Sequence, residues 1–161
     1  MEEYGYIEID LSDYIGENRS FVSGEGGRGS FDVNYKINDQ GDLRAGVIFK
    51  EGSAGPPGHA HGGATAAVLD EAMGIACWFK GIPVVTRSLT VDFIRMVPIG
   101  AQAELVTSVG GEEGKNVTVE GELRSRKDDV VYARGKGVYA VVGDRKFGNL
   151  GEMAISRVKG N

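Results

Sequence analysis

One segment of the chain, residues 64–80, constrains the fold most. It is rich in alanine and poor in β-branched residues, which is the composition of an α-helix. Apolar side chains occupy nearly all of its faces, so we predict a helix that is buried all round rather than lying on a surface. Asp70 and Glu71 stand at its middle. A carboxylate taken out of water without partners costs several kcal/mol, and we therefore expect one of the two to serve a function.

These two carboxylates cannot share one role. Neighbouring residues of a helix point about 100° apart, so at most one of Asp70 and Glu71 faces a common site. The alternative to a functional carboxylate is a structural one, held in an ion pair with Arg87 or Arg95 of the strand that follows the helix.

Strand patterns lie on both sides of this helix in the chain. Alternating apolar and polar residues predict a hairpin over residues 30–37 and 43–50. Further strands are predicted over residues 83–97, 101–109, 116–124 and 130–142, with hairpin turns at 98–100, 110–114 and 126–129. We predict an α+β fold, in which a hairpin and an antiparallel meander of four strands wrap around one long helix. One domain accounts for residues 1–161, with the first ~20 residues and the tail after residue ~144 at its periphery.

The predicted helix begins without an ordinary cap. The chain reads His61-Gly62-Gly63 there, with no serine, threonine, asparagine or aspartate to accept from the first backbone N–H groups. Gly62 and Gly63 also lack the side chains that would keep a ligand away from those donors. We expect an anion or a developing oxyanion at this end. The alternative is that water or a loop carbonyl satisfies the same groups.

Helix geometry separates this end from the carboxylate. Asp70 lies eight residues beyond Gly62, or about 12 Å along the axis at 1.5 Å per residue. One chain cannot bring both to a single reacting atom. A two-fold dimer with antiparallel helices side by side can place the Gly62 N–H of one chain opposite Asp70 of the other. Such a pair suits acyl transfer to water, with the carboxylate as nucleophile or general base and the amide as oxyanion donor.

Composition and isolated motifs exclude several classes of protein. A net charge of −5, from 18 basic and 23 acidic residues, argues against binding to nucleic acid. The two carboxylates within residues 62–79 argue against a membrane span, and the start of the chain lacks the pattern of a signal peptide, so the expected location is the cytoplasm. Cys77 is the single cysteine and is expected to be a buried structural thiol. His59 and His61 have no third ligand nearby, so no metal site is expected.

Two stretches carry a resemblance to a known family. Residues 55–74, GPPGHAHGGATAAVLDEAMG, resemble the signature of hotdog-fold acyl-CoA thioesterases of the PaaI and "thioesterase superfamily member" branch. The likeness continues through residues 86–98, TRSLTVDFIRMVP, and fades after about residue 142. The resemblance implies a hotdog fold and hydrolysis of an acyl-CoA thioester to free acid and CoA, with no cofactor besides the CoA of the substrate. It also implies a homodimer, commonly assembled as a dimer of dimers.

The same resemblance implies roles for individual residues. Asp70 takes the place of the catalytic carboxylate, Gly62 that of the oxyanion-hole amide, and His61 precedes it as in the family. Thr86 stands where related enzymes keep a hydroxyl that orients the water. Some members carry an asparagine in the loop ahead of the histidine, where this chain has Gly55.

Substrate-binding candidates lie around these positions. Gly63, Glu71 and Phe93 are candidates near the reacting group, and the cations Arg95, Arg124 and Lys127 are candidates for the CoA phosphates. The alternative for each cation is an ordinary surface charge at a solvated turn. The acyl group itself is not specified by the sequence.

Two other functions compete with hydrolysis. A hydratase or dehydratase on the same fold would add water to an enoyl-CoA without releasing CoA, and would pair a histidine with an acid at the reacting carbon. A non-catalytic acyl-CoA sensor would bind the thioester without turning it over.

Overall fold

The computed structural model describes residues 5–143 and residue 156. Its strands and helices are β1 (Ile7–Ile9), α1 (Ser12–Ile15), β2 (Phe31–Ile37), β3 (Leu43–Phe49), α2 (Gly62–Phe79), β4 (Val84–Phe93), β5 (Gln102–Glu113), β6 (Asn116–Ser125) and β7 (Val131–Val141). Short 3-10 turns lie at Glu25–Gly27 and Glu51–Ser53. The predicted peripheral tail lies outside the described residues, apart from residue 156.

All strands of the described region form one antiparallel sheet in the order β1-β2-β3-β5-β6-β7-β4. Helix α2 packs across β3 to β7, so the predicted α+β class, a sheet around one long helix, is confirmed. In the described region, no helix combines the length and the apolar character needed to cross a membrane.

The predicted meander of four strands is wrong at its first strand. Strands β5, β6 and β7 do follow one another, but β4 lies at the sheet edge and pairs with β7 rather than with β5. The turn signal at residues 98–100 does not close a hairpin, because the backbone there bonds to the loop before α2. The Ala60 N–H donates to the Val97 carbonyl at 2.9 Å and the Ile99 N–H donates to the Gly58 carbonyl at 2.9 Å.

The turn predicted at residues 110–114 is shorter than expected. Strand β5 continues to Glu113, and a β-bulge between Val109 and Glu112 absorbs Gly110 and Gly111. The chain reverses only at Gly114, whose φ is +60°, a conformation that glycine adopts without steric cost.

Close packing of α2 on the sheet depends on glycines in the strands. A Cβ at Gly121 would lie 3.1 Å from the Met73 sulfur, and a Cβ at Gly135 would lie 3.2 Å from the Met73 methyl. These two glycines face each other across β6 and β7. Met73 and Leu69 are fully buried against them, so the helix sits closer to the sheet than side chains at those positions would allow.

The prediction that α2 is buried all round is wrong for the single chain. The face toward the sheet is buried, but Ala66, Ala67, Asp70 and Gly74 are only half-buried, and Gly63 is exposed. These five residues, which we call the small-residue stripe, recur at three- and four-residue spacing and therefore share one side of the helix.

The first described residues contribute to the core. β1 pairs with β2, and Ile9 and Leu11 are buried. The loop that follows, with Asn18 and Ser20, reaches the exposed side of α2. Asn18 and Ser20 also line the cavity next to Asp70.

Candidate active site

Asp70 is held from two strands at once. The Thr86 hydroxyl donates to Asp70 Oδ1 at 2.8 Å, and the Tyr139 hydroxyl donates to the same oxygen at 3.0 Å and to the Asp70 carbonyl at 3.1 Å. Thr86 on β4 and Tyr139 on β7 are paired across the sheet, so their side chains project from the same face. Neither donor reaches Oδ2, and no other described residue bonds to it.

Tyr139 is a residue that the sequence analysis missed. Its side chain is 1% exposed, and burial next to the Asp70 carboxylate raises its pKa well above the usual value, so the phenol stays protonated and can donate. Glycines make room for the ring, because a Cβ at Gly137 would overlap it and one at Gly74 would lie 3.6 Å away. The available signal was the alternation with Arg134 and Lys136, which places Tyr139 on the inward face of its strand.

Glu71 points to a different set of partners. It accepts from the Ser20 hydroxyl, from the Ser23 N–H at 3.2 Å and from the Tyr35 hydroxyl at 2.9 Å. Burial, and then the adjacent Glu71 charge, raise the pKa of Tyr35 well above its usual value. The two carboxylates thus diverge, as the 100° rule requires, and neither forms an ion pair with a described basic side chain.

The N-terminus of α2 differs from the expected uncapped end. His61 is the N-cap, and its ring Nδ1 accepts from the Gly63 N–H at 2.8 Å. The missing small polar cap is therefore replaced by an imidazole, which the sequence rule for caps does not include. The Ala64 N–H bonds to the His61 carbonyl at 3.0 Å. Among the described residues, the Gly62 N–H has no acceptor.

A ring from β4 lies beside Gly62. A Cβ at Gly62 would stand 3.5 Å from Cε1 of Phe93, and Phe93 is 58% exposed. The structure thus brings together Gly62, Gly63, His61 and Phe93 at one end of α2, and Asp70, Thr86 and Tyr139 around its middle.

The loop before α2 is held by its own backbone. The His61 N–H donates to the Ser53 carbonyl at 2.7 Å, and a Cβ at Gly55 would lie 2.7 Å from the His61 Cα. His59 Nδ1 lies 2.9 Å from the Pro57 carbonyl. Glycine at position 55 therefore lets the loop pass directly over the capping residue.

The cations proposed for CoA phosphates are spread out. Arg124 already lies 3.2 Å from Asp129 and 3.8 Å from Glu122, so part of its charge is neutralised. Lys127 is exposed at the β6–β7 turn, and Arg95 is exposed just after β4. Arg124 and Lys127 lie near each other in the chain, and Arg95 lies two residues from the site candidate Phe93.

Cys77 is fully buried in α2. Burial is the main cause that raises the pKa of its thiol to about 12. The thiol is therefore protonated at neutral pH and unsuited to nucleophilic attack. In the described residues, no three histidine, cysteine, aspartate or glutamate side chains converge as a metal site would require.

A cavity of about 250 Å³ opens beside Asp70. Its walls come from the loop after β1, from α2 and from the start of β4. The lining is Leu11, Tyr14, Asn18, Ser20, Asp70, Glu71, Gly74, Ile75, Trp78, Phe79, Val84, Val85, Thr86 and Tyr139.

The chain is similar to known proteins in sequence and in fold. Residues 57–132 match the model of the thioesterase superfamily. The acyl-coenzyme A thioesterase THEM5 of the mouse is 34% identical over 85 residues, covering 53% of this chain and 34% of the mouse protein. The chain spans about a third to a half of the length of the curated relatives it matches.

Solved structures extend the likeness beyond the matched segment. A crystal structure of a thioesterase superfamily protein has a TM-score of 0.63 and 28% identity, covering 67% of this chain and 53% of that one. A Streptococcus mutans protein solved with bound acetyl-CoA has a TM-score of 0.65 at 17% identity, covering 79% of this chain and 94% of that one.

These findings confirm the resemblance to hotdog-fold acyl-CoA thioesterases that residues 55–74 indicate. The described chain has the hotdog fold, and its residues 57–132 match the model of the thioesterase superfamily.

Proposed function

We propose that this protein hydrolyses acyl-CoA thioesters to a free acid and CoA. The observation that carries the proposal is the carboxylate of Asp70, which is anchored through Oδ1 by Thr86 and Tyr139 while no described residue donates to Oδ2. An oriented carboxylate with one free oxygen suits a nucleophile or a general base. The names of relatives such as the mouse acyl-coenzyme A thioesterase support this substrate class.

The site is proposed to be complete only in a dimer. Gly62 and Asp70 lie on one helix eight residues apart, so the free Gly62 N–H of the partner subunit is the amide that faces Asp70 across a two-fold axis. The half-buried small-residue stripe on α2 would allow two helices to approach closely. Pairing of such dimers into a tetramer would follow the family's usual assembly.

The edge strand β4 supports the same arrangement. Its side chains are mostly exposed, and exposed apolar residues lie along it and just beyond, at Val85, Phe93, Ile94 and Met96. A long edge strand with exposed apolar side chains is a surface that a monomer ordinarily avoids. A second copy of the chain is the occupant that the composite site requires.

In the proposed reaction, the thioester carbonyl lies between the two protomers. Either water attacks the carbonyl carbon and gives its proton to Oδ2, or Oδ2 itself attacks, and the developing oxyanion accepts from the Gly62 amide of the partner subunit. Collapse of the intermediate breaks the carbon–sulfur bond and releases the CoA thiolate. If Oδ2 is the nucleophile, water then hydrolyses the resulting acyl-aspartyl anhydride.

The substitution Asp70→Asn tests the proposal. The amide side chain keeps an oxygen that Thr86 and Tyr139 can bond, but it carries no negative charge. We expect release of free thiol from acyl-CoA to fall about a hundredfold or more, while the circular dichroism spectrum and the oligomeric state stay the same. The assay screens short, long and aromatic acyl-CoAs with a thiol-reactive dye.

Two control substitutions distinguish loss of the catalytic step from loss of folding. Asp39→Asn makes the same change at an exposed turn between β2 and β3, and Cys77→Ala removes the only thiol; both should keep activity. A folded, fully active Asp70→Asn variant would contradict the assigned role. Tight binding of acyl-CoA by the native chain with no thiol release would select the sensor.

A further inference from the structure

The loop after β1 is attached to the rest of the fold at few points. We call residues 10–24 of this loop the strap. Its side chains Leu11 and Val22 are buried, and Tyr14 packs edge to face on Phe79 of α2, with ring centroids 5.2 Å apart. Residues 16–24 belong to no helix or strand, and Val22 is the one fully buried side chain among them. The position of this part of the strap therefore depends strongly on its hydrogen bonds.

The second part of the strap fixes its own shape through local bonds. Asn18 accepts from the Ser20 N–H through Oδ1 at 2.9 Å and from the Glu25 N–H through its carbonyl at 3.2 Å. The Gly24 N–H donates to the Ser20 carbonyl at 3.2 Å, and a Cβ at Gly24 would overlap the Ser20 nitrogen. Residues 18–25 thus form one compact unit. These bonds do not attach the unit to α2.

A carboxylate of α2 makes that attachment. The Ser20 hydroxyl donates to Glu71, and the Ser23 N–H donates to Glu71 Oε1 at 3.2 Å. We call these two bonds the latch. The hydroxyl of Tyr35, a buried residue of β2, donates to the same carboxylate at 2.9 Å. Bonds to an ionised acceptor are stronger than bonds between neutral groups, so Glu71 connects the strap, α2 and the sheet.

The strap lies next to the proposed reacting group. Asn18 and Ser20 of the strap line the cavity that Asp70 and Glu71 also line. The two acids are adjacent in α2, so the latch is one residue away from the proposed catalytic carboxylate. Displacement of the strap would remove one wall of this cavity.

We infer that Glu71 is a positioning residue, which holds the strap beside Asp70 through the latch and thereby limits the access of bulk water to the proposed catalytic carboxylate. Glu71 acts through the strap and not on the reacting atoms. A wall that keeps bulk water from a site strengthens the electrostatic interactions inside it, so release of the latch slows hydrolysis. This kinetic consequence rests on the proposed function, whereas the latch itself is a property of the protein without substrate.

Ser20→Ala tests the latch without altering Glu71 or Ser23. If the two bonds of the latch act together, we expect amide hydrogen exchange at Ser23 to accelerate about fivefold or more. Acrylamide should quench the emission of Trp78, which lines the same cavity, about twice as efficiently as in the native chain. The Val119 amide in β6 should exchange at its native rate, because the sheet stays intact.

Two further variants make this result specific. The Ser20 hydroxyl also accepts from the Val22 N–H at 3.2 Å, so Glu71→Gln, which spares that bond, is measured beside Ser20→Ala and should change both readouts in the same direction. Ser12→Ala removes an exposed hydroxyl that donates to Asp10 and should change neither. Native exchange at Ser23 in folded Ser20→Ala protein, or native quenching of Trp78 in both latch variants, would overturn the inference.

A double-mutant cycle tests the consequence for the reaction. We expect kcat for acyl-CoA hydrolysis to fall about fivefold in Glu71→Gln and about threefold in Ser20→Ala, and the double variant to lose no more than Glu71→Gln alone, because both changes break one latch. Independent structural damage would multiply to about fifteenfold. Glu25→Gln, at an exposed acid just after the strap, should keep kcat. Multiplied losses, or native kcat in Glu71→Gln, would refute the positioning role.

Failure of the proposed function gives a different result. A native chain that releases no thiol from any acyl-CoA would refute hydrolysis. Exchange at Ser23 and quenching of Trp78 need no substrate, so they would still decide whether the latch limits the access of water.

Discussion

At the scale of single residues, the two adjacent acids of α2 have different hydrogen-bond partners. Asp70 receives both of its hydroxyl donors on one oxygen, from Thr86 and Tyr139. Glu71 is bonded through both oxygens to the loop after β1 and to Tyr35. The carboxylate with one oxygen that no described residue bonds suits the proposed chemistry, and the other carboxylate holds structure.

Tyr139→Phe tests the hydroxyl that anchors Asp70. Phenylalanine keeps the buried ring and removes only the donor, so the fold should persist. Hydrogen bonds to charged groups are worth about 1.5–3 kcal/mol, and we expect kcat for acyl-CoA hydrolysis to fall about tenfold because the carboxylate is less well oriented. KM should change less than threefold.

A matched substitution checks this expectation. Tyr132→Phe changes another buried tyrosine of β7, one that has no bond to Asp70, and kcat should be retained. If the two variants lose kcat equally, or if Tyr139→Phe raises KM alone, the hydroxyl does not position the carboxylate.

At the scale of elements, β4 and α2 each have one side that no described element of the chain covers. The strand has β7 on one side only, and the helix keeps the small-residue stripe half-exposed. Thr86 lies on this strand and Asp70 on this helix, so the same two elements that carry the proposed site also lack a neighbour. The proposed dimer would complete both at once.

Negative charges at two exposed residues just after β4 test this arrangement. We expect the double variant Ile94→Asp, Met96→Asp to sediment as a monomer and to lose activity, because two carboxylates would have to be buried at the interface. The residues are 44% and 61% exposed, so the chain itself should still fold.

Ile7→Asp introduces a charge at the opposite edge of the sheet, on β1, and should leave the oligomeric state unchanged. A dimeric Ile94→Asp, Met96→Asp variant with full activity would show either that the interface lies elsewhere or that activity does not require a dimer.

At the scale of the whole molecule, the sheet, α2 and the loop after β1 pack together, and two buried phenols of the sheet bond to the acids of α2. Tyr35 on β2 and Tyr139 on β7 donate to the two acids of α2. Both phenols have pKa values raised by burial first and by the neighbouring carboxylate second. In the unfolded chain they would titrate near pH 10.

Stability should therefore fall at alkaline pH. The folded state keeps protons that the unfolded state releases above about pH 10, so the contribution of each phenol is complete below that pH and is lost as the pH rises toward the folded-state pKa. The expected slope is about 1.4 kcal/mol per pH unit for each phenol. Urea unfolding followed by Trp78 emission at pH 8–11 measures it.

Tyr35→Phe removes one of the two phenols and should make the alkaline slope shallower. The same slope in the variant and in the native chain would assign the alkaline loss to other groups.

Much of this organisation was predictable from local patterns. The long helix, the antiparallel strands and the α+β class follow from periodicity and turn residues, which depend on neighbours a few positions away. The fold and the family resemblance were confirmed, whereas the roles of Asp70, Gly62, His61 and Thr86 stay predictions. The His61 cap was missed because the ring plays a part that capping rules assign to smaller side chains.

Because helix rise and rotation are constant, the order of residues is enough to place the two acids on α2 and to point them in different directions. The partners of these acids depend on contacts between distant parts of the chain: Tyr139 lies 69 positions from Asp70, Ser20 lies 51 positions from Glu71, and β4 lies beside β7 rather than β5. Contacts at such separations depend on how the whole sheet closes around the helix. No local pattern carries that information, because packing of distant surfaces, and not propensity, selects among strand orders.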